Sequence, residues 1–177
     1  SPAIQRILEA KKLEGPCSSA GSKELGANLR NTFVITSADG TPCGQPLRYG
    51  QKFYLCTLDN EGGNLYLCSD RATLNKCAAR SRHQEVTFVS EPSFLCEWQI
   101  LHFNPQLRLE YEGIGVPANT KIIFNHKYTN QNLAVEEEFA LRTPFGTREY
   151  EMSCHTYLDS HRADKEVNHW VILMGVP

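Results

Sequence analysis

Residues 155–162, HTYLDSHR, hold side chains that could bind a metal ion. The imidazoles of His155 and His161 flank the carboxylate of Asp159, and zinc accepts both ligand types. However, the segment lies in a connection between predicted strands, where nothing fixes the geometry of these side chains. No further set of strong ligands stands nearby in the sequence. We therefore expect a polar connecting loop here, with no metal site and no cofactor.

Acid–base chemistry would need two carboxylates held side by side, and Glu110 and Glu112 in LRLEYEG are candidates. Alternation places both on one face of a predicted strand, so we interpret them as the solvated face of a half-buried strand. The dense run at residues 136–138, EEE, is expected to be a solvated loop, with an acidic patch for a basic partner as the alternative.

Nucleophilic catalysis finds little support in the sequence. Cys154 and His155 are adjacent, but neighbours on a strand point to opposite faces and cannot easily form a nucleophile–base hydrogen bond. Motifs for a nucleophile elbow, a phosphate loop or a dinucleotide site are missing. Lys and Arg are scattered, without the interleaved aromatic residues of a nucleic-acid platform. We predict no catalytic residue, no enzyme activity and no nucleic-acid partner.

Length and composition indicate one globular domain. The chain has 177 residues, 41% of them hydrophobic and 21% charged, and a net charge of −2. No apolar run reaches the roughly 18 residues of a membrane span, so no membrane partner is predicted. The seven cysteines form no C-x-x-C pair, and we expect reduced thiols rather than disulfides or a zinc site. The chain does not begin with Met and lacks a signal peptide, as expected of a processed product or a fragment.

The elements that must position these groups are one helix followed by many strands. Residues 1–15 predict the helix, because Ser1 can cap it, Pro2 suits its first position and Gly15 suits its stop. Residues 16–30 predict a linker loop rich in Gly and Ser. From residue 31 onward, turn signals separate short segments rich in β-branched and aromatic residues, namely KFYLC, NLYLC, EVTFV, EWQIL, LRLEY, KIIFN, YEMSC and HWVIL.

One short pattern, an aromatic residue followed two positions later by Ile, occurs three times. Its aromatic residues are Phe33, Trp98 and Trp170, which are 65 and then 72 residues apart. The preceding hairpins repeat as well: Phe53 aligns with Ile122, and the order of elements is the same in both copies. We predict that the three aromatic residues are equivalent and are buried in a shared core.

Repeated units of this kind predict a β-trefoil, in which lobes around a pseudo-threefold axis close a barrel. The closing strand of lobe 1 would occupy residues 31–40, lobe 2 about 46–103 and lobe 3 about 115–177. The first lobe therefore looks incomplete. The hairpin sequences LRYGQKFYL and LYL resemble the MIR type of trefoil, which occurs in inositol trisphosphate receptors and protein O-mannosyltransferases. The predicted fold class is all-β, an MIR-like β-trefoil.

Longer stretches resemble the cilia- and flagella-associated protein 161 family. They include NPQLRLEYEGIGVPANTKIIFNHKYTNQNLAV, HTYLDSHRADKEVNHWVIL and the lead-in AIQRILEAKKLEGPC. The resemblance implies a structural microtubule inner protein without a cofactor, bound to the luminal wall of axonemal doublet microtubules in motile cilia and flagella. Its location would be the cytoskeleton of the cytoplasm, in the ciliary or flagellar axoneme. Its partners would be tubulin and neighbouring microtubule inner proteins.

A luminal protein of this kind would bind through loops, and we expect contacts from residues 58–63, 127–132 and 158–166. Tubulin is acidic overall, so the basic residues Lys127, Arg162 and Lys165 are the candidate tubulin contacts. The alternative function is a ligand-binding β-trefoil module for carbohydrate or protein. A repeated sugar site would need matching hairpin tips, and the tips LDNEGG and KYTNQN share only Asn and polarity.

Overall fold

A computed structural model describes residues 15–23, 26, 28, 30–58, 63–143 and 148–174. The predicted helix of residues 1–15 lies outside the described residues, apart from Gly15. The strands are β1 (Cys17–Ser18), β2 (Ala20–Gly21), β3 (Phe33–Ser37), β4 (Phe53–Thr57), β5 (Tyr66–Ser69), β6 (Gln84–Val89), β7 (Trp98–His102), β8 (Lys121–His126), β9 (Gln131–Arg142), β10 (Arg148–Cys154) and β11 (Trp170–Val171). Helical turns are short: 3-10 turns at Phe94–Cys96, Pro105–Leu107 and Glu166–Asn168, and helix α1 at Arg108–Tyr111.

Seven strands form a closed ring, in the order β6, β5, β4, β7, β8, β9 and β10, and the pairing of β10 with β6 closes it. The other four strands add to it from outside: β1 on β6, β2 on β10, β3 on β4 and β11 on β8. All of these pairings are antiparallel. The prediction of an all-β fold is confirmed. Within the described residues, no helix has the length and apolar character needed to cross a membrane.

The core lies inside the ring and follows from period-2 alternation along the strands. In β7 the residues Trp98, Ile100 and His102 face inward and are buried, and the residues between them are half-buried. Each of the seven ring strands contributes at least one residue to the buried core cluster. The cluster comprises Tyr49, Phe53, Leu67, Val86, Trp98, Ile100, Ile122, Phe124, Leu133 and Cys154. All seven cysteines are free thiols in this structure.

The two tryptophans make the same contact in the two copies of the repeat. The indole Nε1–H of Trp98 donates to the Leu67 carbonyl at 2.9 Å, and that of Trp170 donates to the Leu133 carbonyl at 2.9 Å. Two further contacts recur. Phe53 pairs with Trp98 in the first copy, as Ile122 pairs with Trp170 in the second. Likewise, Gly50 N–H donates to the Ile100 carbonyl, and Asn119 N–H donates to the Ile172 carbonyl. The repeat in the sequence is therefore also a repeat of backbone contacts.

The predicted strand LRLEY is wrong, because this segment is helical. Pro105–Leu107 is a 3-10 turn, and α1 follows it directly. The Asn104 side chain accepts a hydrogen bond from Gln106 N–H at 3.1 Å, and Pro105 occupies the first helical position. An Asn cap followed by Pro is a helix start signal, and here it overrides the alternation of apolar residues. Glu110 and Glu112 consequently do not share a strand face.

The segment predicted as a linker loop, residues 16–30, contributes the two short outer strands β1 and β2. Its small residues allow close approach to the sheet. A Cβ added at Gly21 would lie 3.0 Å from Val135, so only Gly fits there without a shift. Both the N–H and the hydroxyl of Ser19 donate to the Val86 carbonyl.

The three equivalent aromatic residues are not equally buried. Trp98 is fully buried and Trp170 is half-buried, whereas Phe33, predicted in the core, is 37% exposed. The ring of Phe33 stacks on that of Phe88 at 6.0 Å between centroids. Among the described strands, β3 pairs with β4 alone and lies outside the closed ring, so one side of Phe33 stays uncovered.

Candidate functional site

The three metal candidates do not come together. His155 packs its ring against His83, with 3.8 Å between centroids, and His161 is exposed. The Asp159 carboxylate instead accepts hydrogen bonds from the N–H groups of His161 at 2.7 Å and Ala163 at 3.0 Å, which shapes a tight turn. The described part of the chain contains no group of three or more His, Cys, Asp or Glu side chains suited to hold a metal ion.

A cluster of ionisable side chains surrounds Glu136, which is 5% exposed. Its carboxylate accepts hydrogen bonds from Ser153 Oγ at 2.6 Å, from Tyr157 Oη at 2.6 Å and from His83 Nδ1 at 2.7 Å. The stacked ring of His155 completes the cluster. We call these five residues the polar hub.

The expectation of a solvated acidic loop at residues 136–138 is wrong for Glu136. Residues Gln131–Arg142 form one long strand, and alternation places Glu136 on the same buried face as Ala134. Glu137 and Glu138 are exposed. The sequence did carry the signal for a strand here, because no turn residue interrupts the segment NLAVEEEFALR.

Burial and hydrogen bonds shift the pKa of Glu136 in opposite directions. Burial alone would raise the pKa of Glu136, but the hydrogen bonds from Ser153, Tyr157 and His83 outweigh it and lower that pKa. Burial lowers the pKa of His155, and the neighbouring His83 lowers it further, against the pull of Glu136. Burial, followed by donation to Glu136, raises the pKa of the Tyr157 hydroxyl. Glu136 is therefore held as an anion and His155 as a neutral ring.

The hub acts as a cross-link between four segments. His83 lies before β6, Glu136 in β9, Ser153 in β10 and Tyr157 after β10. Both oxygens of Glu136 accept hydrogen bonds from the protein itself, Oε1 from Ser153 and His83 and Oε2 from Tyr157. Glu151 of β10 makes a second link to the segment before β6, because its carboxylate accepts hydrogen bonds from the backbone N–H groups of residues 80 and 81.

The predicted contacts Arg162 and Lys165 lie on one exposed loop, and the buried side chain of Asp164 holds this loop to the rest of the domain. The backbone of Leu158 bridges to Asp164, and the buried Asp164 carboxylate accepts from the guanidinium of Arg108. Arg162 has a φ of 60° at the tip of the turn, and its side chain is exposed. The side chain of Lys165 is exposed as well.

Lys127 lies on a different turn, between β8 and β9, and is also exposed. Its Nζ donates to Gln99 Oε1 at 3.0 Å. The structure thus keeps all three predicted basic residues on the surface, in two separate loops. The third predicted contact loop, residues 58–63, is described only at its two ends.

Sequence reasoning missed a group of exposed side chains next to Lys127. Phe94 is 57% exposed and Tyr128 is 48% exposed, and their rings meet edge to face at 4.9 Å between centroids. The Arg71 guanidinium lies 5.3 Å from the centroid of Tyr128. We call Arg71, Phe94, Lys127 and Tyr128 the aromatic–basic surface. The signal was that Tyr128 falls in the predicted hairpin tip KYTNQN and that Phe94 precedes the predicted strand EWQIL, so neither ring belongs to a predicted strand.

A groove of about 470 Å³ runs beside β10 and offers a place to examine the ligand-binding alternative. Tyr150 and Trp170 line it together with Lys23, Glu137 and Glu166, among others. Lys23 Nζ lies 5.3 Å from the centroid of the Tyr150 ring, and the Arg148 guanidinium lies 6.0 Å from it. The chain's own cations therefore approach this ring, which lends no support to a sugar stacked there.

Comparison with known sequences gives consistent matches. The family model described as the cilia- and flagella-associated protein 161-like domain matches residues 2–175. Proteins named cilia- and flagella-associated protein 161 from Danio rerio, Bos taurus and Mus musculus are 44%, 47% and 45% identical over 93%, 95% and 93% of the chain. The aligned region covers 54%, 52% and 55% of those proteins, so the chain spans about half the length of these relatives.

Solved structures share the fold at low sequence identity. The SDF2-like protein from Arabidopsis thaliana has a TM-score of 0.66 at 15% identity, covering 89% of this chain and 77% of that one. A Caenorhabditis elegans protein of unknown function has a TM-score of 0.66 at 17% identity, with coverage of 90% and 79%. The Saccharomyces cerevisiae protein O-mannosyltransferase Pmt1–Pmt2 complex has a TM-score of 0.54 at 14% identity, with coverage of 82% and 22%. These likenesses concern the fold alone.

Proposed function

The chain belongs to the cilia- and flagella-associated protein 161-like family, and from this membership we propose that it is a structural protein of motile cilia and flagella. In this proposal it is a microtubule inner protein that binds the luminal wall of axonemal doublet microtubules and stabilises them. Its partners are tubulin and neighbouring inner proteins. The observation that carries the proposal is the family match over residues 2–175.

The arrangement of ionisable groups favours a structural role over an enzymatic one. Glu136, Glu151 and Asp164 are buried, and each accepts hydrogen bonds from the protein itself. These carboxylates hold connections and loops onto the ring, which gives a rigid frame with exposed loops. Such a frame can engage a repeating wall through several weak contacts at once, because fixed geometry supplies avidity.

We also propose that the fold is a β-trefoil in which β3 is the closing strand of the first lobe. The support is the repeated set of contacts: Trp98 and Trp170 make the same indole hydrogen bond, and β7 pairs with β8 as β3 pairs with β4. Lobe 2 then spans about residues 46–103 and lobe 3 about 115–177, with β3 as the closing strand of lobe 1. If this equivalence holds, truncating either tryptophan destabilises the domain.

The functional proposal is tested with tagged protein in ciliated cells. We expect the wild type in axonemes, resistant to graded salt washes, and weaker retention of the variant Arg162→Glu with Lys165→Glu. The matched control is Arg80→Glu with Arg142→Glu, which reverses the same charge at two exposed positions outside the predicted loops. If the loop variant is retained like the wild type, this loop is not the tubulin contact. If the wild type is absent from axonemes, the ciliary proposal is wrong and the ligand-binding trefoil becomes the leading hypothesis.

A further inference from the structure

We infer that the aromatic–basic surface, made of Arg71, Phe94, Lys127 and Tyr128, is a docking site for an acidic protein surface, namely that of the tubulin lattice. The inference rests on the proposed function and deepens it, because it identifies which face of the domain meets the microtubule. It also differs from the sequence prediction, which combined Lys127 with the loop of Arg162 and Lys165.

Exposed aromatic rings are the first observation. Phe94 and Tyr128 are 57% and 48% exposed, although large aromatic side chains usually contribute to cores and interfaces. Phe94 lies just before β7 and Tyr128 just after β8, at the end of the strand pair where Trp98 faces His126.

Rigid support is the second observation. Phe94 begins a 3-10 turn whose cap, Ser93, accepts a hydrogen bond from Leu95 N–H at 3.2 Å. The buried ring of His126 links this turn to the turn of Tyr128: its Nε2 lies 2.8 Å from the Leu95 carbonyl and its Nδ1 lies 2.7 Å from Thr129 Oγ1. The two turns that carry the aromatic side chains are thus linked before binding, which reduces the backbone entropy lost on association.

The third observation is local charge. The surface residues, Glu91 and two neighbouring ion pairs together hold four cations (Lys52, Arg71, Lys76 and Lys127) and three carboxylates (Asp70, Glu91 and Glu97), a net charge of +1, whereas the whole chain has −2. Two of the carboxylates are paired with lysines, Asp70 with Lys76 at 3.3 Å and Glu97 with Lys52 at 3.1 Å, and the third, Glu91, is exposed. Arg71 and Lys127 therefore remain as the cations beside the rings.

Arg together with Tyr and Phe is the composition that favours the central part of an interface, where a few residues carry most of the binding energy. An acidic partner surface complements this arrangement, since its carboxylates can pair with Arg71 and Lys127 while its apolar parts cover Phe94 and Tyr128. The loop of Arg162 and Lys165 has no such exposed aromatic pair, so we expect it to contribute less.

The test is co-sedimentation of the purified chain with tubulin that is polymerised in its presence, so that the lumen is accessible, over a series of salt concentrations. We expect Phe94→Ser with Tyr128→Ser to weaken binding by about tenfold or more. Arg71→Glu with Lys127→Glu is expected to weaken it similarly and to reduce its dependence on salt. Leu109→Ser is the matched control, because Leu109 is 83% exposed at a distant helix, and it should bind like the wild type. Thermal melting verifies that each variant is folded.

The outcomes separate this inference from the function on which it rests. If the wild type sediments with microtubules and both surface variants sediment equally well, the docking site lies elsewhere and the proposed function stands. If Leu109→Ser weakens binding as much as the aromatic variant, the attachment is non-specific and the docking site is refuted. If the wild type does not sediment with microtubules, tubulin is not its partner and both proposals fail.

Discussion

The strands of Trp98 and Trp170 show how one repeat can be used in two ways. Both indoles donate to a carbonyl at 2.9 Å, and both strands follow a 3-10 turn, Phe94–Cys96 in one case and Glu166–Asn168 in the other. Yet Trp98 is fully buried and Trp170 is half-buried. The difference follows from the neighbours: β7 lies in the closed ring between β4 and β8, whereas β11 pairs only with β8 among the described strands.

The same comparison separates framework from function. Contacts that recur in both copies hold the ring together. Side chains outside these contacts differ between the two copies. The aromatic–basic surface is an example, because Phe94 begins the 3-10 turn of the first copy, whereas Glu166 begins the equivalent turn of the second. The polar hub also exists once, because it depends on the long hairpin of β9 and β10.

The largest expected effect concerns the tryptophans themselves. Trp98→Ala should reduce the free energy of unfolding by about 3–5 kcal/mol, because it leaves a large cavity in the closed core. Trp170→Ala should reduce it by about 1–3 kcal/mol, since less of that side chain is buried. Denaturant titration of the two variants measures both values. Equal losses would mean that the difference in burial does not set the cost of truncation, and wild-type stability of both variants would refute the trefoil equivalence.

A smaller effect is expected at the polar hub. Glu136→Gln places an amide N–H₂ among side chains that all donate to the native carboxylate, and it should destabilise the domain by about 2–3 kcal/mol. Glu137→Gln is the matched control on the next, exposed position, with an expected change within about 0.5 kcal/mol.

Denaturant midpoints of the Glu136→Gln and Glu137→Gln variants give the comparison. Similar midpoints would show that Glu136 is not the cross-link proposed for it.

The smallest effect is a loss of stability on acidification. Burial lowers the pKa values of His155 and His126 below the usual 6.5, so the unfolded chain binds more protons than the folded one. Stability contributed by these rings is present above pH 6.5 and declines as the pH falls below it. Glu136, with its lowered pKa, adds a loss at lower pH.

We expect less than about 1 kcal/mol from His155, because solvent screens a half-buried ring. His155→Gln should flatten the decline of the denaturant midpoint below pH 6.5, and His161→Gln, at an exposed position, should not. A profile that is unchanged by His155→Gln would place the sensitivity elsewhere.

Much of the framework could be predicted from the sequence, because its causes are local. Alternation and turn residues indicated the strands β3 to β8, β10 and β11, and the repeat in the sequence identified Trp98 and Trp170 as equivalent. The family resemblance and the exposed position of Lys127, Arg162 and Lys165 also needed only the sequence. Where a local signal was misjudged, as at the Asn104 cap, another local signal was available to correct it.

Burial, by contrast, was decided by the tertiary structure. Glu136, Glu137 and Glu138 are chemically identical, and only the pairing of β9 with β10 selects Glu136 to accept bonds from residues far away in the chain. Phe33 fits the repeat as well as Trp98 does, but no described strand covers its other side. Phe94 and Tyr128 meet across 34 residues of sequence because β7 and β8 are paired. A side chain's exposure depends on which segments pack against it, and no local pattern contains that information.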